Sequence, residues 1–454
     1  MRKQPITIIG AGLAGSLLAI YLAKRGFRVE VYERRPDMRK TDISAGKSIN
    51  LALSTRGIFA LQEVGLAETV LAQAIPMRGR MIHDPHGELT FQPYGKAEHE
   101  VINSVSRRDL NVILMDAAES YPEVRIHFQQ RCLGIDFDQG EVLLKDEVSG
   151  KTRTVAAPVI FGCDGAYSAV RLEMQKRGRF NLHQFYLEHG YKELTIPPGP
   201  EGKFLMEKNA LHIWPRHTYM LIALPNLDGS FTCTLFLAFE GEPGFAVLDS
   251  PAAVETFFRR QFPDAVPLMP TLVEDFFRNP TGDLVTIKCF PWHVGGRALL
   301  IGDAAHAIVP FYGQGMNCAF EDCTILNQCI EEFGDEWERV FREYAQRRKE
   351  DTDAIADLAI ENFIEMRDRV ADPKFRMKKE LELRLERQFP GRFISKYAMV
   401  TFSRLPYSLA LRKGQAQEAV LWELCQSVER LDDLQLEEVF RVVQERSGNG
   451  ASAI

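Results

Sequence analysis

Apolar and polar positions change their period several times along the chain, and each change predicts a different element. Residues 5 to 33 read as strand, tight turn, helix and strand: PITIIG is a short β-branched apolar run, LAGSLLAIYLAKRG carries apolar residues at helical spacing, and FRVEVYE alternates. This is a βαβ unit. A second α/β stretch runs to about residue 180 and includes TRTVAAPVIFGCDG, an apolar run that also ends in a glycine-bearing turn. From about 185 to 290 the pattern becomes strands with turn punctuation, and ALHIWPRHTYMLIALPNLDGSFTCTLFLAF gives two alternating runs separated by PNLDGS, a hairpin signal. VGGRALLIGD then resumes the buried-strand pattern, NCAFEDCTILNQCIEEF continues as a helix, and beyond about 360 the chain is mostly helical. EAVLWELCQSVERLDDLQLEEVFRVVQER is its plainest amphipathic segment. The predicted fold class is α/β: a Rossmann-like domain in two parts (1–184 and 291–360), an inserted, mostly antiparallel β-sheet domain (185–290) and a C-terminal helical region (361–454).

Composition narrows the partners. With 55 basic against 62 acidic residues in 454, no broad basic surface for nucleic acid is indicated. The eight cysteines are scattered, without a C-x-x-C pair or a cysteine-histidine cluster at zinc spacing, so no metal site is expected and the thiols read as reduced core residues of a cytoplasmic protein. The first apolar segment is broken by glycines and does not read as a signal peptide. No uninterrupted apolar run approaches the ~20 residues of a membrane helix, so no membrane anchor is expected. The polar tail QERSGNGASAI is expected to fray. Oligomeric state leaves no mark on the sequence.

Candidate chemistry begins in TIIGAGLAGS, where Gly10, Gly12 and Gly15 form G-x-G-x-x-G between a predicted strand and a predicted helix. The first glycine makes the turn, the second lets backbone approach a pyrophosphate, and the third lets helix pack on strand. The helix start at Leu13 and Ala14 offers free N–H groups to phosphates. Glu33, followed by Arg34, ends the second strand at the distance where a carboxylate accepts from a ribose, which suits FAD or NAD. The later stretch LLIGDAAHAIVPFYGQGMNCAFED supplies the other half of a long cofactor. Asp303 follows a buried strand and could accept from a ribityl hydroxyl. Pro310, Gly313 and Gly315 then turn the chain so that Met316 and Asn317 open a helix, whose N–H groups would stabilise negative charge on a reduced isoalloxazine. The two loops together point to one FAD held from both ends of the chain.

With CDGAYSAVR between them, carrying Asp164, Gly165, Ser168 and Arg171, these loops resemble the three ordered signatures of the flavoprotein aromatic hydroxylases, the group typified by p-hydroxybenzoate hydroxylase. On residue type alone, Ser168 and Arg171 read as a helix start with an exposed base. The resemblance implies a bound FAD, NADPH and O2 as co-substrates, a flavin C4a-hydroperoxide as oxygen donor, and Arg107 in SRRDLNVIL against the flavin pyrophosphate. Longer stretches, among them KSINLALSTRG, MRGRMIH, QPYG, NALHIWPRHTYMLIALPN, ENFIEM and RFISKYAMVTFSRLPYS, are similar to the kynurenine-hydroxylating branch of that family. Lys47 and Tyr312 depart from the branch's familiar residues. The branch implies L-kynurenine as substrate, hydroxylated beside its aromatic amine in tryptophan catabolism. Arg80 and Tyr94 would grip its carboxylate, Asn362 and Tyr397 complete the polar pocket, Leu211, Met220 and Phe236 cover the ring, and Glu365 approach the ammonium. No catalytic base is implied, and His306 reads as a hydrogen-bonded loop residue. Without the resemblance, Arg80 reads as a surface base, the two tyrosines as half-buried phenols, Asn362 and Glu365 as solvated, and the three apolar residues as sheet core. The alternatives are a flavin hydroxylase of another aromatic acid and a non-hydroxylating dinucleotide-binding redox protein.

Overall fold

A computed structural model describes residues 4–40, 50–369 and 372–447. Lys47 and residues 448–454 of the polar tail lie outside them. The chain divides into two compact units.

The first unit holds residues 1–74, 105–187 and 284–356. Its central sheet runs in the order His293–Val294, Ala298–Leu300, Val159–Gly162, Ile6–Ile9, Val29–Tyr32, Val124–His127, parallel throughout except for the two-residue edge strand. Ile6–Ile9 is buried along its whole length, as a parallel strand covered on both faces must be. The helix Leu13–Lys24 is buried at every residue from Gly15 to Ala23, which explains why it is apolar all round rather than on one stripe. It packs against the helices Arg107–Glu119 and Gly315–Phe333. A three-stranded antiparallel sheet, Gln130–Asp136, Glu141–Asp146 and Thr152–Ala156, completes the unit.

The second unit holds residues 75–104, 188–283 and 357–454. Its sheet contains residues 188–196 of the strand Asn181–Ile196, followed in order by Phe231–Ala238, Tyr219–Pro225, Ala210–Arg216, Gly79–His83 and Leu89–Pro93. All pairs are antiparallel except Ala210–Arg216 with Gly79–His83. Residues 75–104, left in the first segment by the sequence reading, group here because their strands extend this sheet. The segment expected to hold two strands holds three. The additional reversal is made at His217 and Thr218, with His217 at φ +60°. On one face Trp214, Leu221 and Leu235 pack with Phe257, Phe258 and Phe276 of two helices, Pro251–Gln261 and Leu272–Arg278. On the other, Ile82 meets Phe375 and Trp422 of the C-terminal helices Pro373–Gln388 and Tyr407–Ser427. The plainest amphipathic segment is not one helix: it ends Tyr407–Ser427 and resumes at Leu436–Arg446 after a short helical turn at Leu431–Asp433.

Candidate functional site

On the cofactor side the three N-terminal glycines have separate duties. Gly10 sits at φ +101°, and a Cβ there would lie 2.5 Å from the Cys163 carbonyl oxygen. A Cβ at Gly15 would run into the Gly10 carbonyl. A Cβ at Gly12 would meet nothing within 4 Å. So the outer glycines are demanded by packing, and the middle one borders open space beside a helix whose first-turn N–H groups, including those of Leu13 and Ala14, lack intrahelical acceptors. Glu33 is buried; one carboxylate oxygen accepts from Ala11 N at 2.9 Å and the other from Arg35 N and Nε, both at 2.9 Å. It therefore fastens the glycine loop to the end of the second strand. Arg34 and Arg107 are exposed, the latter opening the helix Arg107–Glu119 behind its Ser106 cap.

The middle motif turns inward. Asp164 accepts from Ser168 Oγ and from Ala169 N at 2.7 Å, and burial pushes its carboxyl up. Arg171 is not the exposed base its residue type suggested: it is buried, and its guanidinium donates to the carbonyls of Ala166 and, at 2.8 Å, of Ala304. That second bond fixes the late loop next to Asp303, which is exposed. The same loop is held from behind by Asp322, which accepts from Gly302 N at 3.0 Å and pairs with His306 Nε2 at 2.6 Å. Burial alone would lower His306, but the Asp322 carboxylate outweighs it and holds the imidazole well above its ordinary value. His306 is thus an internal loop histidine. His306, Cys318 and Asp322 are close enough to hold a metal ion, yet Arg348 already lies there, with Nε 2.8 Å from Asp322 and a terminal nitrogen 3.2 Å from Cys318 Sγ. A guanidinium takes the places a cation would use.

Gly313, at φ +67°, passes so close to Ala52 that a Cβ would lie 2.8 Å away. Gly315 then opens the helix Gly315–Phe333, with Met316 buried and Pro310 exposed in the turn before it. The Asn317 amide is spent inside the protein, accepting from Ser54 N at 2.9 Å and donating to Ala52 O and Gly313 O, each at 2.8 Å. Its side chain secures the turn, so that only main chain at this helix start is left to a cofactor. The open space at Gly12, two helix N-termini and the exposed Asp303 form a donor and acceptor set that fits FAD.

The substrate-side residues are in the second unit, and the sheet brings most of them together. Gly79 is required because a Cβ would strike the Gln92 carbonyl. Arg80 stands opposite Leu211 on one side and Gln92 on the other. By register, Leu211, Met220 and Phe236 share its face, Met220 directly opposite Phe236 and both buried. Arg80 is only 5% exposed, against the surface position its residue type suggested, whereas Arg78 is exposed. Its guanidinium carbon lies 5.3 Å from the Tyr397 ring centre and 5.7 Å from that of Tyr94, and the two phenols stack at 5.6 Å and 12°. Burial pushes both phenols up, so they stay neutral donors.

Asn362, buried, donates to Met366 Sδ at 3.3 Å, where the helix Trp337–Ile364 passes into a π-helical turn, Glu365–Arg369. Glu365, read as solvated on residue type, is mostly buried, 4.0 Å from Arg80 and 3.5 Å from Lys379. Burial would raise its carboxyl, but Lys379 outweighs that, with Lys378 and Arg80 adding to it, and the group is held below the usual range. Lys379 escaped the sequence reading. It lines the same cavity as Arg80, Gln92, Tyr94, Glu386 and Tyr397. In KKELELRLER it looks like part of a solvated helix, and its only signal is the carboxylate of Glu382 three residues on, at 3.3 Å.

The FAD binding domain family matches residues 3–187 and 282–359. Over 445 residues, 98% of this chain and 96% of the relative, the sequence is 54% identical to kynurenine 3-monooxygenase of Myxococcus xanthus (strain DK1622). It is 46% identical over 456 residues to kynurenine 3-monooxygenase of Dictyostelium discoideum, covering 98% and 97% of the two chains. Among solved structures, 2-methyl-3-hydroxypyridine-5-carboxylic acid oxygenase in its tetrameric form matches with a TM-score of 0.66 at 20% identity, over 85% of this chain and 98% of that one. Tetracycline destructase Tet(51) matches with a TM-score of 0.61 at 19% identity, over 85% and 97%. At such identities these structures establish the fold alone. Among the described residues no helix is long and apolar enough to cross a membrane. By sequence over nearly its whole length, and by the cofactor domain that its first unit builds, this chain belongs to the kynurenine 3-monooxygenase family of FAD-binding enzymes.

Proposed function

We propose that the chain is an NADPH-dependent flavoprotein monooxygenase that hydroxylates L-kynurenine to 3-hydroxykynurenine. The observation that carries the substrate is the buried Arg80 beside two stacked phenols. A guanidinium presents two parallel donors to two carboxylate oxygens, Tyr94 and Tyr397 add neutral donors, and Asn362 adds an amide. Glu365, kept ionised by Lys379 and Arg80, is the partner for the substrate's ammonium. Leu211, Met220 and Phe236 provide the apolar surface for the ring.

FAD would be held by the Gly12 loop, Glu33, Arg107, Asp303 and the helix start after Gly313; when bound, it would carry two electrons from NADPH and activate O2 for transfer of one oxygen atom. The chain's own work is to orient and to exclude water. Gripping the carboxylate fixes where the ring lies, and the buried apolar wall keeps solvent away. The ring's amine activates the carbon ortho to it, so no protein base is required. Eight free, buried cysteines support a reducing, cytoplasmic location. The test is mass spectrometry after incubation of the purified yellow protein with NADPH, O2 and L-kynurenine. A product heavier by one oxygen and co-eluting with 3-hydroxykynurenine is expected. Unchanged L-kynurenine beside hydrogen peroxide would transfer the assignment to another aromatic acid.

A further inference from the structure

On the face of the substrate-side sheet opposite Arg80, four residues form a closed hydrogen-bonded ladder. His83 Nδ1 lies 2.6 Å from Asp264 Oδ2, His83 Nε2 lies 2.9 Å from His212 Nδ1, and His212 Nε2 lies 2.8 Å from the carbonyl oxygen of Glu207. Both ends are acceptors, a carboxylate at one and a carbonyl at the other. Three hydrogen bonds in series between them require three protons on four ring nitrogens, and two neutral imidazoles carry only two. One more proton must be present.

Three observations place it on His83. Trp214 Nε1 donates to both Asp264 oxygens, at 3.0 and 2.9 Å, which suits an ionised carboxylate. Burial would raise that carboxyl, but the bonds from His83 and Trp214 outweigh it and hold it down. Burial also pushes His212 down to about 4, so this ring is the neutral member. Finally, the His83 ring stacks on the Trp214 indole at 3.9 Å and 26°, a geometry that favours a cation over a π face. The other charged groups here are Arg216, which donates to the carbonyls of His83 at 3.1 Å and Asp84 at 3.3 Å, and Asp84, whose carboxylate caps its own exposed turn.

We propose that His83 is a buried imidazolium clamped by Asp264, His212 and the face of Trp214, and that it is a positioning residue for the strand presenting Arg80. The ladder links the one parallel strand pair of this sheet, in which Arg80 stands opposite Leu211. A parallel pair has no tight turn to fix its register. A one-residue slip would carry Arg80 to the wrong face, and the latch from His83 to His212 opposes that slip.

The positioning half of this proposal rests on the substrate reading above; the protonation half does not. In the FAD-loaded full chain with 15N-labelled histidine, His83 is identified by the signals lost in His83→Gln. At a working pH of about 7.5, both of its ring nitrogens are expected to be protonated, as the three hydrogen bonds in series require, with His212 a neutral tautomer protonated on Nε2. Asp264→Asn is expected to remove the third proton at that pH and to regain it on acidification. The L-kynurenine dissociation constant is expected to rise roughly five-fold or more in His83→Gln and Asp264→Asn, with FAD affinity unchanged. The Asp264→Asn loss should shrink as the pH falls, which simple loss of packing would not produce. A neutral His83 in the unsubstituted chain overturns the imidazolium, and unchanged L-kynurenine affinity in both variants overturns the positioning role. Failure of the unsubstituted chain to bind L-kynurenine would overturn the substrate reading instead and leave the proton count standing.

Discussion

The two units build their candidate sites from different materials. In the first, the groups offered to a cofactor are mainly backbone: an open glycine, helix N-termini and loops whose side chains, from Glu33 to Asn317, are turned back to hold the loops in place. In the second, the candidate pocket is all side chain, and Arg80 starts an unbroken series of opposite charges. Arg80 neighbours Glu365, which Lys379 shares with Glu382; Lys378 bridges Glu382 to Glu418, and Lys396 joins Glu418 to Glu361. Backbone recognition is vulnerable to the addition of one carbon atom. Charge recognition is vulnerable to the removal of one partner.

The largest effect should come from that single carbon. Gly15→Ala would drive a Cβ into the Gly10 carbonyl, and neither backbone can yield. We expect no FAD-bound protein and a loss of roughly 3 kcal/mol in the apoprotein, read by flavin absorbance and urea unfolding. Gly12→Ala, entering open space, should keep the apoprotein's stability and weaken only FAD binding. Equal destabilisation by both substitutions would erase the distinction between packing glycines and a ligand-facing one.

The next effect belongs to the other unit. Burial would raise Glu418, but Lys378, Lys396 and Lys379 together lower it from 4.5 to about 2. A carboxyl depressed on folding contributes its stability above the unfolded value and loses it as the pH falls through the folded one. Glu418→Gln should therefore cost roughly 3 kcal/mol at neutral pH, and the gap to the unsubstituted chain should close between about pH 4.5 and 2. Urea unfolding across that range measures it, and a gap that does not depend on pH would mean the loss is one of packing.

This contrast also explains what could be read from the sequence. The βαβ unit and the glycine loops were legible because their logic is local: strand, turn and helix are neighbours, and Gly10 declares its positive φ by being glycine. The His217 reversal was not, since a histidine gives no warning that it will adopt φ +60°. Arg171 looked like an exposed base because its acceptors, Ala166 and Ala304, are carbonyls, which any residue could supply. Arg80, Tyr94, Asn362 and Tyr397 were named by resemblance alone; nothing in their spacing predicts that Arg80, Tyr94 and Tyr397 line one cavity. Lys379 was missed because burial of a lysine is a property of the tertiary fold, not of the helix that carries it.

Arg80→Ala tests the substrate side directly. Removing a buried guanidinium that pairs a carboxylate should weaken L-kynurenine binding about 100-fold, on the order of 2 to 3 kcal/mol, while FAD stays bound. Arg80→Lys should recover little, because an ammonium cannot present two parallel donors beside the phenols. Substrate affinity is read by titration of flavin fluorescence. Full rescue by lysine would reduce Arg80 to a point charge and weaken the case for a fork-shaped carboxylate grip.

The smallest effect sharpens the comparison most, because it removes a charge from the unit that recognises by backbone. Glu33 has both oxygens occupied, one by Ala11 N in the glycine loop and one by Arg35. In Glu33→Gln a single oxygen remains, and the amide NH2 must face one of those two donors, so either the loop or the Arg35 turn loses its tether. If Glu33 serves chiefly as a tether, FAD affinity should fall about ten-fold, and Arg35→Ala, which removes only the Nε bond and leaves those of Ala11 N and the residue-35 backbone N–H, should cost clearly less. Were the two substitutions to cost the same, the ion pair with Arg35 and not the bond to the glycine loop would carry the effect, and the first unit would depend on a charge pair as the second does.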